Sequence, residues 1–535
     1  MLVLGRIERR YRLPKGYFKD LLPHQGRAVA AGAPGSLSSA ERRRLAWHLP
    51  DDFGTLCEED RAEILQWIRT TIIGGATEYR RFQSSALRHP YALKFGGTKN
   101  SRAAPRQLDE ELAALVKFKT ASLTPPDLRR SGLWSDETAA QRIEHFGLMF
   151  GALSAPAEGP NAGAGVPTAK LTFAMLVFPR VWDWYLRWRE RRRGFFTSWE
   201  VDMLRLGLAM AHKETGWLKQ SPELVHHLGA CSPLVDSDDV VAARQDWPAA
   251  CHRFCSYAAN RAKEITRLAR VHRDPFEPIL PILEAQSPVS EYRKITEEIL
   301  RRKPDGKLYP RAAAEAVRSF LLIRLGLHLG IRQRNLRQLL MCPMGKVPRS
   351  EVELRRVRQG ELRWLEDQNK WEVFIPCEAF KNANSTFFGS RPFRLFLPDL
   401  GGLYRQLADY AQVHRAVLLA GAPDPGTFFV KTVKRTSRSA AYDKNTFYEA
   451  WRLVIQRYGV WNPFTGRGAI PGLLPHGPHC VRDVLATHIL KQTGSFEQAS
   501  YAIQDTPAVV AKHYGRFLPQ DKSALAAAVL NRAWE

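Results

Sequence analysis

The chain is short of acidic residues, short of cysteine, and without any long apolar run. It carries 54 acidic residues against 79 lysines and arginines, which leaves a formal net charge of +25. A deficit of negative charge on this scale points to a polyanionic partner. No apolar run is long enough to cross a bilayer, and the basic segments are not gathered on one amphipathic helix. That excludes a membrane-spanning class and makes nucleic acid a better partner than an anionic lipid surface. The cysteines number seven, odd and without framework spacing, which excludes a disulfide-stapled scaffold and fits a reducing compartment. The opening stretch MLVLGRIERRYRLPKGYF lacks the apolar core of a secretory signal, so a cytoplasmic protein is expected. No Walker-type loop occurs, so no ATP chemistry is expected.

What is present is ordinary globular material: 535 residues, 44% hydrophobic and 25% charged. That length leaves room for roughly two to four domains. Residues 1–97 hold no chemical motif; they read as an N-terminal extension of unknown role, with a Gly/Ala/Ser-rich patch and one helical stretch, RAEILQWIRTTIIGG. Residues 98–273 read as mainly helical. They contain DETAAQRIEHFGLMFGAL, a flexible Gly/Pro-rich loop, and an aromatic, basic segment ending in Arg189, Arg191, Arg192 and Arg193. In so basic a protein that cluster is expected to meet backbone phosphates. His226, His227, Cys231, Cys251, His252 and Cys255 lie in the same region, but without tight C-x-x-C pairs. Buried thiols and surface histidines are expected there, and no metal.

Residues 274–535 read as helices around a small β-rich stretch: GELRWLED, KWEVFIPCEAF and PFRLFLPDL have strand composition with turns between them. The fold class is therefore mainly α with a small β-sheet. Lys431, Lys434, Arg435 and Arg438 precede a helix and are further candidates for phosphate contact. The most informative stretch runs from Leu474 to Phe517. Pro478 marks a helix start, and His479 and Arg482 stand three apart in HCVRDVLATHIL, a spacing that stacks two side chains on one helical face. Thr506-Pro507 reads as an N-cap followed by Pro in the first turn of a short helix that ends at Tyr514. A guanidinium grips phosphate oxygens, an imidazole moves protons near neutral pH, and a phenol can attack phosphorus.

In this order the residues resemble the tyrosine recombinases, the phage-integrase family. HCVRDVLAT resembles that family's H-x-x-R box, usually of the type HDLRHTFAT. GIRQRNLRQLL resembles its first Arg box, G-[LI]-R-x-x-E-L, with Arg332 at the Arg position and Asn335 in place of the acid. The resemblance covers roughly the C-terminal half of the chain. It implies a helical core-binding domain that clamps DNA (98–273), followed by an α+β catalytic domain with a C-terminal helix (274–535). It implies Tyr514 as nucleophile, Arg332, His479 and Arg482 at the phosphate, and Lys381 as proton donor to the leaving 5′ oxygen, with Lys370 in reserve. One position departs. Nine residues before the Tyr the family usually has His or Trp, and this chain has Asp505. Asp505 cannot donate while ionised, which leaves His513 and His488 as candidates for that role.

The chemistry so implied is cleavage and rejoining of double-stranded DNA through a 3′-phosphotyrosine link, with side-chain cations in place of any cofactor. Integration, excision or transposition of a mobile element would follow. Self-association on DNA, from dimer to tetramer, and helper proteins are the expected partners. Two other readings stay open. One is a catalytically impaired relative that binds DNA or organises a complex. The other is a type IB topoisomerase-like enzyme.

Overall fold

The structure is a computed structural model. It describes residues 2–14, 17, 45–75, 90–97, 102–269, 274–383, 385–434, 437 and 439–517, with 527, 530, 531, 533 and 534. The chain divides into two compact units: Thr77–Asp274, and Met1–Ala76 together with Pro275–Glu535. The segment up to Ala76 thus belongs with the C-terminal unit rather than with a separate extension reaching residue 97. Polar bonds account for this. Gln456 Nε2 donates to the Ile72 carbonyl at 2.7 Å and Asn462 Nδ2 to the His48 carbonyl at 2.8 Å. Both are buried side chains whose amides need such partners.

The Thr77–Asp274 unit is helical. Its main elements are α1 (Arg106–Thr120), α2 (Asp136–Ser154), α3 (Pro179–Arg193), α4 (Ser198–Ala211) and α5 (Trp247–Leu268). Local chemistry sets the ends. Ser135 caps α2, Pro179 opens α3, Gly194 closes it in the left-handed conformation, and Thr197 with Glu200 forms a capping box on α4. The core is aromatic: Trp182 stacks on Phe254 with centroids 5.4 Å apart, and Trp182 and Trp247 each donate an indole N–H to a backbone carbonyl at 2.8 Å.

The C-terminal unit packs helices around a small sheet. After α6 (Pro288–Arg301) and the long, largely buried α7 (Pro310–Leu329) comes a short helix, α8 (Gln333–Arg337). Four strands follow: β1 (Leu340–Met341), β2 (Glu361–Leu365), β3 (Lys370–Ile375) and β4 (Phe393–Phe396). They lie in the order β1-β2-β3-β4, parallel in the first pair and antiparallel in the other two. Leu362, Trp371, Val373 and Ile375 enter the core. Glu372 is fully buried on β3 and survives there because Arg363 and Arg394 both pair with it. The fold is therefore mainly α with a four-stranded mixed sheet. Among the helices that follow are α9 (Lys444–Val454), α10 (Cys480–Thr493), α11 (Phe496–Ile503) and α12 (Pro507–Tyr514). The expected final helix, from Leu518 onward, lies outside the described residues apart from a few positions.

Gly330 is the joint of this unit. It ends α7 with φ +57°, and a Cβ there would stand 2.3 Å from the Ala502 carbonyl oxygen. Only glycine lets the end of α7 approach the end of α11 so closely. The expected effect of Gly330→Ala is a loss of at least ~1–3 kcal/mol in urea unfolding of the full chain. An unchanged urea midpoint would contradict this packing.

Candidate active site

Arg332 comes two residues after the Gly330 joint. It has extended backbone and caps α8, which frees its side chain from the helix. Its Nη2 donates to Asp505 Oδ2 at 2.9 Å. Arg482 lies in the first turn of α10 and is 1% exposed. Its Nη1 donates to the Gly330 carbonyl at 2.8 Å, and its Nη2 to the same Asp505 Oδ2 at 3.1 Å. Two guanidinium groups therefore share one carboxylate oxygen. Burial, then the charge of Arg332, pushes Arg482 down to about 10, so it remains a cation at neutral pH. Two further donors, Arg332 Nη1 and Arg482 Nε, are buried without a hydrogen-bond partner among the described residues. Unpartnered buried donors are costly, and they are what an anion with several oxygens would satisfy.

Asp505 follows Gln504, whose φ of +52° ends α11 in a conformation that non-glycine residues avoid. That turn swings Asp505 back toward the arginines. Its Oδ1 accepts from Asn382 Nδ2 at 3.1 Å and from the Thr506 amide at 3.2 Å. The carboxylate thus sits where two guanidiniums would hold a phosphate oxygen.

Tyr514 ends α12 and is 5% exposed. Its hydroxyl donates to Asp483 Oδ1 at 2.7 Å. Burial, then the charge and hydrogen bond of Asp483, raise the phenol above its ordinary value, while Arg482 opposes them. Burial raises Asp483 to about 6. His479 is the residue before α10 and is exposed at its surface. Crowding by protein, then Arg482 and Arg332, push its imidazole down toward about 4. Arg482 is buried and His479 exposed, and the charges of Arg482, Arg332 and Asp505 all act on the imidazole.

The other expected residues are distributed as follows. Lys381 is exposed in the link between β3 and β4, next to Asn382, which reaches Asp505. Lys370 opens β3, with its ammonium over the Phe396 ring. His513 is exposed beside Tyr514, and His488 is half-buried further along α10. Among the described residues no hydrogen bond or ion pair joins either histidine to Arg332, Arg482 or Asp505. Asn335 is buried and donates to the Ala379 carbonyl at 3.0 Å, so it ties α8 to the end of the β3 segment.

The arginine cluster on α3 needs a correction. Arg189 is buried, pairs with Glu200 at 2.9 Å and lies 3.9 Å from the centroid of the Trp199 ring. Its charge is spent inside the fold, since the periodicity of α3 turns this position to the core. Arg192 is half-buried, over Tyr91 and Trp188, and Arg193 bonds Thr197; Arg191 is exposed. Lys431 is half-buried and Lys434 exposed, while Arg435 and Arg438 lie outside the described residues. Cys251 is buried, Cys255 donates to the Ala211 carbonyl, and no described His/Cys/Asp/Glu cluster could hold a metal. No described helix is long and apolar enough to cross a membrane.

Reading motifs alone passed over Asp483 and Asn382. A signal for Asp483 exists: an acid set directly between Arg482 and Val484 in an otherwise apolar run needs a polar partner once buried. Nothing in the sequence marks Asn382.

The chain is similar in structure to a site-specific recombinase. One match is to XerH bound to its difH substrate in a pre-cleavage complex, at 11% identity, 65% of this chain, 87% of that chain and a TM-score of 0.30. A second is to XerH in a post-cleavage complex with palindromic difH, at 12% identity, 62% of this chain, 84% of that chain and a TM-score of 0.29. A likeness this distant carries no argument about chemistry. No protein-family model and no curated protein matches the chain.

If Asp505 stands in for a bound anion, removing its charge opens the site. The thermal midpoint of Asp505→Asn is expected to rise more with added sulfate than that of the wild type, because an anion bound only by the fold stabilises it. Arg482→Ala in the same background removes the difference. Equal sulfate shifts in all three proteins would mean that no anion binds between the guanidiniums.

Proposed function

We infer that this protein cleaves and rejoins DNA strands through a covalent link to Tyr514. The observation that carries the reading is the meeting of Arg332 and Arg482 on one oxygen of Asp505. A pair of guanidiniums so held, with further donors open, suits the oxygens of a phosphodiester in the trigonal-bipyramidal state, where negative charge grows. The net charge of +25 supplies the long-range attraction to a duplex.

In this mechanism Arg332 and Arg482 bind the non-bridging oxygens and His479 hydrogen-bonds the phosphate. Tyr514 Oη attacks phosphorus in line with the departing O5′. The P–O5′ bond breaks, O5′ takes a proton from Lys381, and a 3′-phosphotyrosine remains. A 5′-hydroxyl from another strand reverses the step and joins new partners. The Thr77–Asp274 unit would clamp the duplex, with Arg191 among its phosphate contacts. Several copies would assemble on DNA for integration, excision or transposition of a mobile element.

One observation favours a second reading. Asp505 already pairs with both guanidiniums, and Tyr514 is buried. A protein that kept this arrangement on DNA would bind and organise without cutting.

The test is a set of nicked duplexes tiling the DNA that borders the coding region, in which a cut releases a short fragment and traps the enzyme. The wild type is expected to form a covalent adduct stable to detergent. Tyr514→Phe should form none, and Arg332→Ala or Arg482→Ala should slow adduct formation by roughly a hundredfold or more. DNA binding with no adduct from the wild type would replace this reading with the second one.

A further inference from the structure

Asp483 is a carboxylate in an unusual place. It is 5% exposed on α10, between the buried Arg482 and the fully buried Val484. Carboxylates are seldom buried without a strong reason. Here the acid accepts the Tyr514 hydroxyl at 2.7 Å, between two helices that only α11 separates in the chain. The Tyr514 ring also packs on Phe276, with ring centroids 5.9 Å apart. The phenol oxygen and one carboxylate oxygen are therefore already paired for proton transfer.

A ready-made phenolate is not what this site prepares, because burial and the nearby acid both raise the phenol. The proton has to leave while the new bond forms, and so needs an acceptor in contact. His479 suits that task poorly: crowding by protein, then two guanidiniums, weaken it as a base, while the Tyr514 hydroxyl is bonded to Asp483.

We propose that Asp483 is a catalytic residue that takes the proton of Tyr514 during strand cleavage. The proposal rests on the DNA-cleaving reading above. As an Oη lone pair attacks phosphorus, the Oη–H proton passes to Asp483 Oδ1. The Oη–P bond forms and the P–O5′ bond breaks, leaving its electron pair on O5′, which is protonated to a 5′-hydroxyl by Lys381. In rejoining, the 5′-hydroxyl gives its proton back to Lys381 and attacks phosphorus. The Oη–P bond breaks and Tyr514 recovers its proton from Asp483. No oxidant, metal or nucleotide enters the balance. Asp483, raised to about 6 by burial, is mostly ionised at neutral pH and basic enough to accept. The charged and titratable groups around it are Tyr514 from α12, Arg482 on its own helix and the phenol of Tyr292 from α6.

Rates of adduct formation on the nicked duplexes, measured across pH, test this. The wild-type rate should rise with pH through about 6, as Asp483 ionises. Asp483→Asn keeps an acceptor for the Tyr514 hydroxyl, so it should fold and bind DNA, yet its rate should drop roughly a hundredfold or more and lose that rise. Asp483→Glu should restore part of the rate and the rise together. An Asn variant with the wild-type rate and profile overturns the proposal and leaves the DNA-cleaving reading standing. So does a loss that is the same at every pH and is not relieved by Glu, since that marks a mere clasp. A wild type that makes no adduct, while Tyr514 stays inert in every variant, overturns both.

Discussion

One carboxylate oxygen holds two guanidinium groups together, and the C-terminal unit is arranged around that contact. Arg332 arrives from the turn after α7 and Arg482 from the first turn of α10. Like charges this close repel, and without an anion between them the pair would be strongly destabilised inside a partly dry site. Asp505 is that anion. The Gly330 joint serves the same contact: its left-handed turn lets α7 meet α11, and its carbonyl fixes the other side of the Arg482 fork.

With one carboxylate against two guanidiniums, the site keeps a net positive charge that is only partly offset. A phosphate can enter only by displacing or sharing with a carboxylate already paired to both cations. Exchange of one anion for another gains less than filling an empty cationic pocket, so affinity is moderated and selectivity is left to the rest of the duplex. A buried phenol held by Asp483 belongs to the same guarded state. The fold holds Arg332 and Arg482 on Asp505 and the Tyr514 hydroxyl on Asp483, and leaves Arg332 Nη1 and Arg482 Nε without hydrogen-bond partners among the described residues.

Much of this was legible in the sequence because it rests on local rules. Pro179, Pro288, Pro310 and Pro507 open helices, Gly194, Gly330 and Gly494 close them, and the strand-like runs pair as β2, β3 and β4. Arg332, Arg482 and Tyr514 stood out because their motifs have order and spacing. What stayed hidden depends on distant packing. The burial of Arg189 against Glu200 and Trp199 is decided by which side of α3 meets α4, and a run of arginines looks like a solvated face until that is known. The partner of Asp505 was equally hidden. Its departure from the family pattern is visible in one letter, but its role as counter-ion to two arginines needs three separate segments brought together. The pairing of Asp483 with Tyr514 is hidden for the same reason.

The most direct measurement replaces the charge of the phosphate itself. Adduct formation by the wild type and by Arg482→Ala is compared on duplexes with a normal phosphodiester and with a neutral methylphosphonate at the cleaved position. If the guanidinium pair acts on that phosphate, Arg482→Ala should slow cleavage of the phosphodiester far more than that of the methylphosphonate. An equal loss on both substrates would mean that Arg482 serves only the fold, and that its meeting with Arg332 does not mark the place where DNA is cut.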